Sequence, residues 1–260
     1  MRKSVIMALA ALTTAVVFGE VTGSILTEQG ESHKGVIGWK NKAYSVTSKG
    51  GISIEVREGD VAELDIDKPA ALDAAIALVE KGSGKDAIAT LQKIMKEYAH
   101  LKWDLTAAGY LARAHLSAGK PDDALSVCRS VIGSDEKAAY LGEMAPAYWD
   151  TLLALGRREA LEKALEKAAK KGDRASSGAA LIKRGDILMK EGKESSDAAK
   201  KALSDGYLRV VLLYRDAPQI QPEALYKAAQ CFEKLQQSGR ADSMRQQLKQ
   251  VYPSSPWASK

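Results

Sequence analysis

Cysteine, histidine and aromatic side chains are scarce in this chain, and each scarcity narrows what it can be. Only two cysteines occur, Cys128 and Cys231. Both fall on the apolar side of helical patterns and far apart in the repeat order described below, which predicts core thiols beyond disulfide reach. Three histidines, His33, His100 and His115, are too few and too scattered for a zinc site, so no metal ligand is nominated. His115 falls at a packing position of a helix. Aromatic residues make up 6% of the chain and charged residues 27%, with alanine and leucine dominating the second half. That mixture suits a helical repeat protein rather than a sandwich or a membrane bundle.

Charge of one sign is also lacking. The formal net charge is +5, spread along the chain, and Arg2 and Lys3 supply two of it. So small an excess argues against a nucleic-acid partner. Nor is there a complete phosphate loop. Lys81-Gly82-Ser83-Gly84-Lys85 has Val79 where the earlier glycine is needed and Asp86 where serine or threonine should follow the lysine. Asp122-Asp123 opens a helix, where acids suit the dipole. No nucleophile–base pair and no glycine-rich cofactor loop can be assembled, so no catalytic residue and no cofactor is expected and the chain reads as non-enzymatic.

Long apolar runs are confined to the N-terminus. After Met1-Arg2-Lys3-Ser4, residues 5–18 are apolar, a run of 14 that is short of the roughly 20 a spanning helix needs. Residues 1–19 therefore read as a secretory signal peptide, cut after Val17-Phe18-Gly19 or after Thr13-Thr14-Ala15, with an uncleaved anchor as the alternative. No cysteine lies near the cut, which excludes lipid attachment there.

What is abundant is one recurring phrase, a glycine followed by a basic residue at the end of an apolar stretch. It stands at Gly84-Lys85, Gly119-Lys120, Gly156-Arg157, Gly192-Lys193 and Gly239-Arg240, spaced by 35, 37, 36 and 47 residues. Helically spaced apolar residues precede each, as in Leu225, Ala228, Ala229 and Phe232, and an acid with a small residue follows most, as in Asp86-Ala87 and Asp123-Ala124. Glycine can adopt the left-handed conformation that ends a helix, and an acid favours the start of the next. Each phrase is thus predicted to be the turn of a helical hairpin. The pairs fall at about 70–81 with 85–98, 104–118 with 121–132, 140–155 with 157–171, 175–191 with 196–215, and 222–237 with 239–251. The long last spacing implies an extended second helix in the fourth pair.

Residues 20–67 carry a different, alternating pattern. Val36-Ile37-Gly38-Trp39, Tyr44-Ser45-Val46-Thr47, 52–56 and 61–66 read as four strands joined by tight turns, a small antiparallel barrel resembling SH3-like folds. Ile52, Ile54 and Val56 are expected to face inward, as are Ala62, Leu64 and Ile66. Trp39 and Tyr44 either form a binding face or fill this small core. The domain plan is a signal peptide (1–19), a β-barrel module (20–67) and a helical solenoid (68–260).

The helical part resembles the tetratricopeptide repeat family. In residues 222–253, Leu225, Ala228, Ala229 and Phe232 fall at first-helix signature positions, Ala241 and Leu248 at second-helix positions and Pro253 at the closing proline. The second unit matches through Ala108, Leu111, Ala112, Gly119, Ala124 and Val131, while in the fourth Arg184 stands where an apolar residue is usual. Ala224-Leu225-Tyr226 and Val251-Tyr252-Pro253-Ser254-Ser255-Pro256 further resemble the last repeats of bacterial envelope proteins, the tetratricopeptide lipoprotein of outer-membrane assembly and the periplasmic coordinator of the Tol–Pal system. The resemblance implies a mainly α, right-handed solenoid of about five repeats and an exported, periplasmic scaffold whose concave groove binds protein or peptide partners of the cell envelope. Groove positions in this register are Tyr110, Arg113, Asp150, Lys183, Asp186, Tyr226, Lys227 and Gln230. The lysine–asparagine clamp of chaperone-binding relatives is absent. The alternative is a cell-wall binder that uses the β module, with the array as a spacer, and membrane contact is expected only through an uncleaved leader.

Overall fold

The structure, a computed structural model, describes residues 20–260; the expected leader at 1–19 lies outside the described residues. The chain divides into two compact units. One contains residues 20–67 with Glu97–Leu101, the other Lys68–Lys96 with Lys102–Lys260.

The first unit is a five-stranded antiparallel sheet of β1 (Thr22–Thr27), β2 (Ser32–Lys40), β3 (Ala43–Thr47), β4 (Ser53–Arg57) and β5 (Val61–Ile66). Its strand order is β4-β3-β2-β1-β5, so β5 returns to pair with β1. The sequence pattern anticipates four of these strands and misses β1, which is paired on both sides, between β2 and β5. Thr22–Thr27 contains only two adjacent strong apolar residues, Ile25 and Leu26, so its alternation is too short to stand out. Its place depends on pairing at long range, with Ile25 opposite His33 of β2 and Leu64 of β5. Ile25, Ile37, Val46, Val56 and Ile66 are buried, together with Leu101 from the second segment. Two expected inward residues are corrected. Ile52 precedes the β3–β4 register, which begins at Thr47 opposite Ser53, and is 70% exposed. Ala62 is also exposed, leaving Ile66 as the buried anchor of β5.

The second unit is a succession of five helical hairpins. They are α1 (Leu72–Glu80) with α2 (Gly84–Glu97), α3 (Trp103–Ser117) with α4 (Pro121–Ser134), and α5 (Met144–Ala154) with α6 (Arg158–Lys171). In the fourth, α7 (Arg174–Glu191) is answered by α8 (Ser196–Ala202), a π-helical turn at Leu203–Tyr207 and α9 (Leu208–Leu213); α10 (Gln221–Lys234) and α11 (Ser238–Val251) make the fifth. The extended second arm expected from the 47-residue spacing is therefore present, and the π turn takes up part of its length. Pro121 begins α4 and Pro222 is the second residue of α10, positions in the first turn where a missing N–H costs nothing. Asp173 and Ser195 cap α7 and α8 by accepting from the Ser176 and Ala198 amides.

Alanines set the spacing between helices. α3 buries Ala107, Ala108, Ala112 and Ala114 around Leu111, and Trp149 of α5 is fully buried with its indole N–H donating to the Ala139 carbonyl at 3.0 Å. The polar second helix α11 contributes only Ala241 and Leu248 to the core. The recurrent glycines mark all five turns, yet only Gly119 and Gly156 take the expected left-handed conformation. Elsewhere a neighbour does so: Gly82 in the first turn, Lys193 and Glu194 in the fourth, and Gln236 in the fifth. Gly84 and Gly192 serve close packing instead, since a Cβ at Gly84 would lie 2.9 Å from the Ala114 Cα and one at Gly192 2.4 Å from the Ala198 Cβ.

Candidate functional site

First helices carry all eight nominated groove positions, and the structure gathers them into three clusters rather than one. On α3, the Arg113 guanidinium lies 5.1 Å from the Tyr110 ring, and the Tyr110 hydroxyl reaches Glu80 of α1 at 3.5 Å. Burial pushes the Tyr110 hydroxyl above the usual phenol range despite Arg113 beside it. Asp150 of α5 is ion-paired with Lys183 of α7. One turn further along α7, Asp186 holds Lys227 of α10 through both carboxylate oxygens at 2.7 Å. Next to these, Gln230 donates to the Tyr226 hydroxyl at 3.0 Å. Thr106 of α3 adds a further bridge, donating to Glu143 at 2.8 Å just before α5. Polar contacts thus link one first helix to the next along the array.

The α7–α10 cluster is the most elaborate. Lys227 also pairs with Glu223 at 2.6 Å, and Tyr207 donates to Asp186 at 2.8 Å. Burial lowers the Lys227 pKa, but the Asp186 and Glu223 carboxylates outweigh it and hold the ammonium above the ordinary lysine range. Tyr207 is pushed up in turn, first by burial and then by the Asp186 charge. The π turn explains how Tyr207 arrives: it brings Gly206 against Gly185 of α7, where a Cβ on Gly206 would sit 2.9 Å from the Gly185 Cα. Sequence reasoning missed Tyr207 and Glu223. The one hint was the excess length of the last repeat spacing.

Beside this cluster lies a groove of about 880 Å³ between α7 and α10. Asp186, Tyr207 and Lys227 form one side, Met189 and Cys231 give it a soft apolar part with their sulfurs 3.8 Å apart, and Gln230 lines it from α10. Lys190 and Lys193 line it without an ion pair among the described residues, whereas Lys234 is paired with Glu194 at 2.8 Å. Another feature missed from sequence is the C-terminal tail. Trp257 packs its ring 5.3 Å from that of Tyr226, the Lys227 ammonium lies 5.8 Å from the indole, and Lys260 lies 3.8 Å above it. Tyr226 is therefore covered in part by the chain's own tail, while Gln230 is exposed.

The two candidate residues of the sheet separate. Tyr44 is buried and Trp39 half-buried, with ring centroids 4.6 Å apart. His100 stacks on Trp39 at 5.0 Å, and the Tyr44 hydroxyl donates to the His100 carbonyl at 3.5 Å. Tyr44 therefore fills the core, and only Trp39 keeps partial exposure. Both cysteines are free and buried, which pushes each thiol up to about 11. Among the described residues no group of three or more His, Cys, Asp or Glu is placed to hold a metal ion.

Comparison with known proteins bears on the helical unit. A putative kinesin light chain from Podosopora anserina with nearly identical TPR-like repeats is similar at 14% identity over 70% of this chain and 92% of its own, with a TM-score of 0.42. Pseudomonas aeruginosa pilF is similar at 21% identity over 73% of this chain and 95% of its own, with a TM-score of 0.38. No curated protein matches the chain by sequence. Residues 223–255 match the family model of the tetratricopeptide repeat. The match covers the segment from α10 through α11 into the tail, the last of the five hairpins.

Proposed function

We propose that this chain is an exported, non-catalytic scaffold that binds a protein or peptide partner of the cell envelope in the groove of its helical array. The repeat at 223–255 supports a protein-binding role, because such hairpins build extended surfaces rather than reactive centres. Export rests on the basic start and apolar run at residues 1–19. The observation that carries the site is the 880 Å³ groove between α7 and α10, where three nominated residues, Asp186, Lys227 and Gln230, meet Tyr207 and two lysines without an ion pair among the described residues. The inner polar groups are already satisfied by one another, so they hold the walls in place. The contacts offered to a partner are then Gln230, Lys190, Lys193 and the soft apolar part. The rival reading, cell-wall binding by the β module, draws less support with Tyr44 buried and Trp39 stacked.

Photo-crosslinking in intact cells tests this. A photoreactive residue at Gln230 is expected to capture a discrete partner, and one at the exposed Lys163 of α6 is not. Equal capture at both positions, or capture only from Trp39, would remove the groove from the account.

A further inference from the structure

Arg184 is the departure from the repeat pattern that the groove does not absorb. It occupies a position where such hairpins usually place an apolar residue, yet its side chain is 44% exposed. It lines a cleft of about 360 Å³ with Arg158 of α6 and Arg209, which begins the exposed face of α9. Three guanidiniums from three different helices thus line one cleft with the carboxylates of Glu162 and Asp205, and Glu191 reaches Arg158 as well. The three are not equally satisfied. Arg158 is engaged by Glu162 at 2.8 Å and by Glu191. Arg184 approaches Glu162 only at 3.8 Å, and Arg209 makes no ion pair among the described residues. Arg184 and Arg209 thus keep donors to spare at the cleft, and guanidinium forks match phosphate oxygens in pairs.

What lies next to the cleft narrows the source of that anion. Leu212 and Leu213 follow Arg209 by three and four residues, so α9 presents all three on one face. Each leucine is 57% exposed. Unfilled guanidiniums beside a bare leucine pair suit a surface where phosphate and hydrocarbon are adjacent. We infer that the Arg158–Arg184–Arg209 cleft binds the phosphate of an anionic phospholipid headgroup, with Leu212 and Leu213 entering the acyl boundary of the bilayer. This contact is separate from any leader and does not depend on the peptide groove.

The test uses the full chain with vesicles of phosphatidylcholine alone or mixed with phosphatidylglycerol, and with inorganic phosphate as a soluble probe. The wild-type chain is expected to sediment with phosphatidylglycerol vesicles in a salt-sensitive manner. Each of Arg184→Gln and Arg209→Gln is expected to weaken this roughly fivefold. Leu212→Ser with Leu213→Ser should weaken it as well. All variants keep the same N-terminal segment, so any binding through that segment is common to them, and circular dichroism confirms their folding. Equal binding to both vesicle types, or arginine variants that bind as the wild type does, would overturn the inference. Binding of inorganic phosphate without binding to vesicles would overturn it too, by making the cleft a site for soluble phosphate.

Discussion

At the scale of single residues, Lys227 shows how a charged side chain is made tolerable in a half-buried place. Its ammonium has two carboxylates within 2.7 Å, and one of them is shared with the Tyr207 hydroxyl. Removing one member of such a cluster exposes the others to an unmet desolvation cost. Tyr207→Phe is predicted to lower stability at pH 7 by about 1–2 kcal/mol, read from urea unfolding. The pH dependence has a definite sign. Tyr207 and Lys227 both have raised pKa values in the folded chain. Each therefore contributes stability that is complete below its unfolded value, near pH 10, and is lost as pH rises beyond it. The variant should start lower than the wild type and fall less steeply above pH 10. Parallel curves across that range would show that the hydroxyl is not coupled to the fold. Nothing in the sequence around Tyr207 distinguishes it from other tyrosines, because its role comes from Asp186, 21 residues earlier.

At the scale of the element, the fourth hairpin is the irregular one. Its second arm would be an ordinary helix without the π turn at Leu203–Tyr207, and the turn fits only because two glycines face each other across the helix crossing. A Cβ on Gly206 would lie 2.8 Å from the Leu181 carbonyl, and backbone atoms cannot move aside as a side-chain end can. Gly206→Ala is predicted to cost about 2 kcal/mol, or roughly 5 °C in Tm for a chain of this size. Gly239→Ala is the control: it lies in α11 with nothing within 4 Å of a new Cβ, and should be neutral or stabilising by up to about 1 kcal/mol. A Tm unchanged in the first, measured by calorimetry, would mean the crossing is not closely packed. The hairpins themselves were legible because their signals are local, in alanine spacing, helix-starting prolines and turn glycines. Which residue in each turn adopts positive φ is not legible in this way, since Lys193, Glu194 and Gln236 do so with a glycine nearby. β1 was hidden for a related reason, as a strand that is short of apolar residues and stabilised by pairing on both sides.

At the scale of the whole molecule, the two units answer different questions. The first unit occupies its aromatic residues with one another: Tyr44 is buried, and the half-buried Trp39 packs on both Tyr44 and His100. The helical unit puts charged and polar groups in register from one first helix to the next, through Tyr110 with Glu80, Asp150 with Lys183, and Asp186 with Lys227. The register of the first helices in the sequence is enough to name both sides of the Asp150–Lys183 and Asp186–Lys227 bridges and Tyr110 of the third. It could not reveal that the nominated residues satisfy one another, because those contacts run between segments about one repeat apart. Nor could it show Trp257 lying on Tyr226, which leaves less open groove than eight free positions would suggest. The account depends on a partner lying between α7 and α10. Amide hydrogen exchange of the full chain, alone and with the partner captured from Gln230, tests that most directly. Slowed exchange is predicted in α7 and α10 with α6 unchanged. Slowing confined to β2 and β3 would contradict the account and move binding to the sheet.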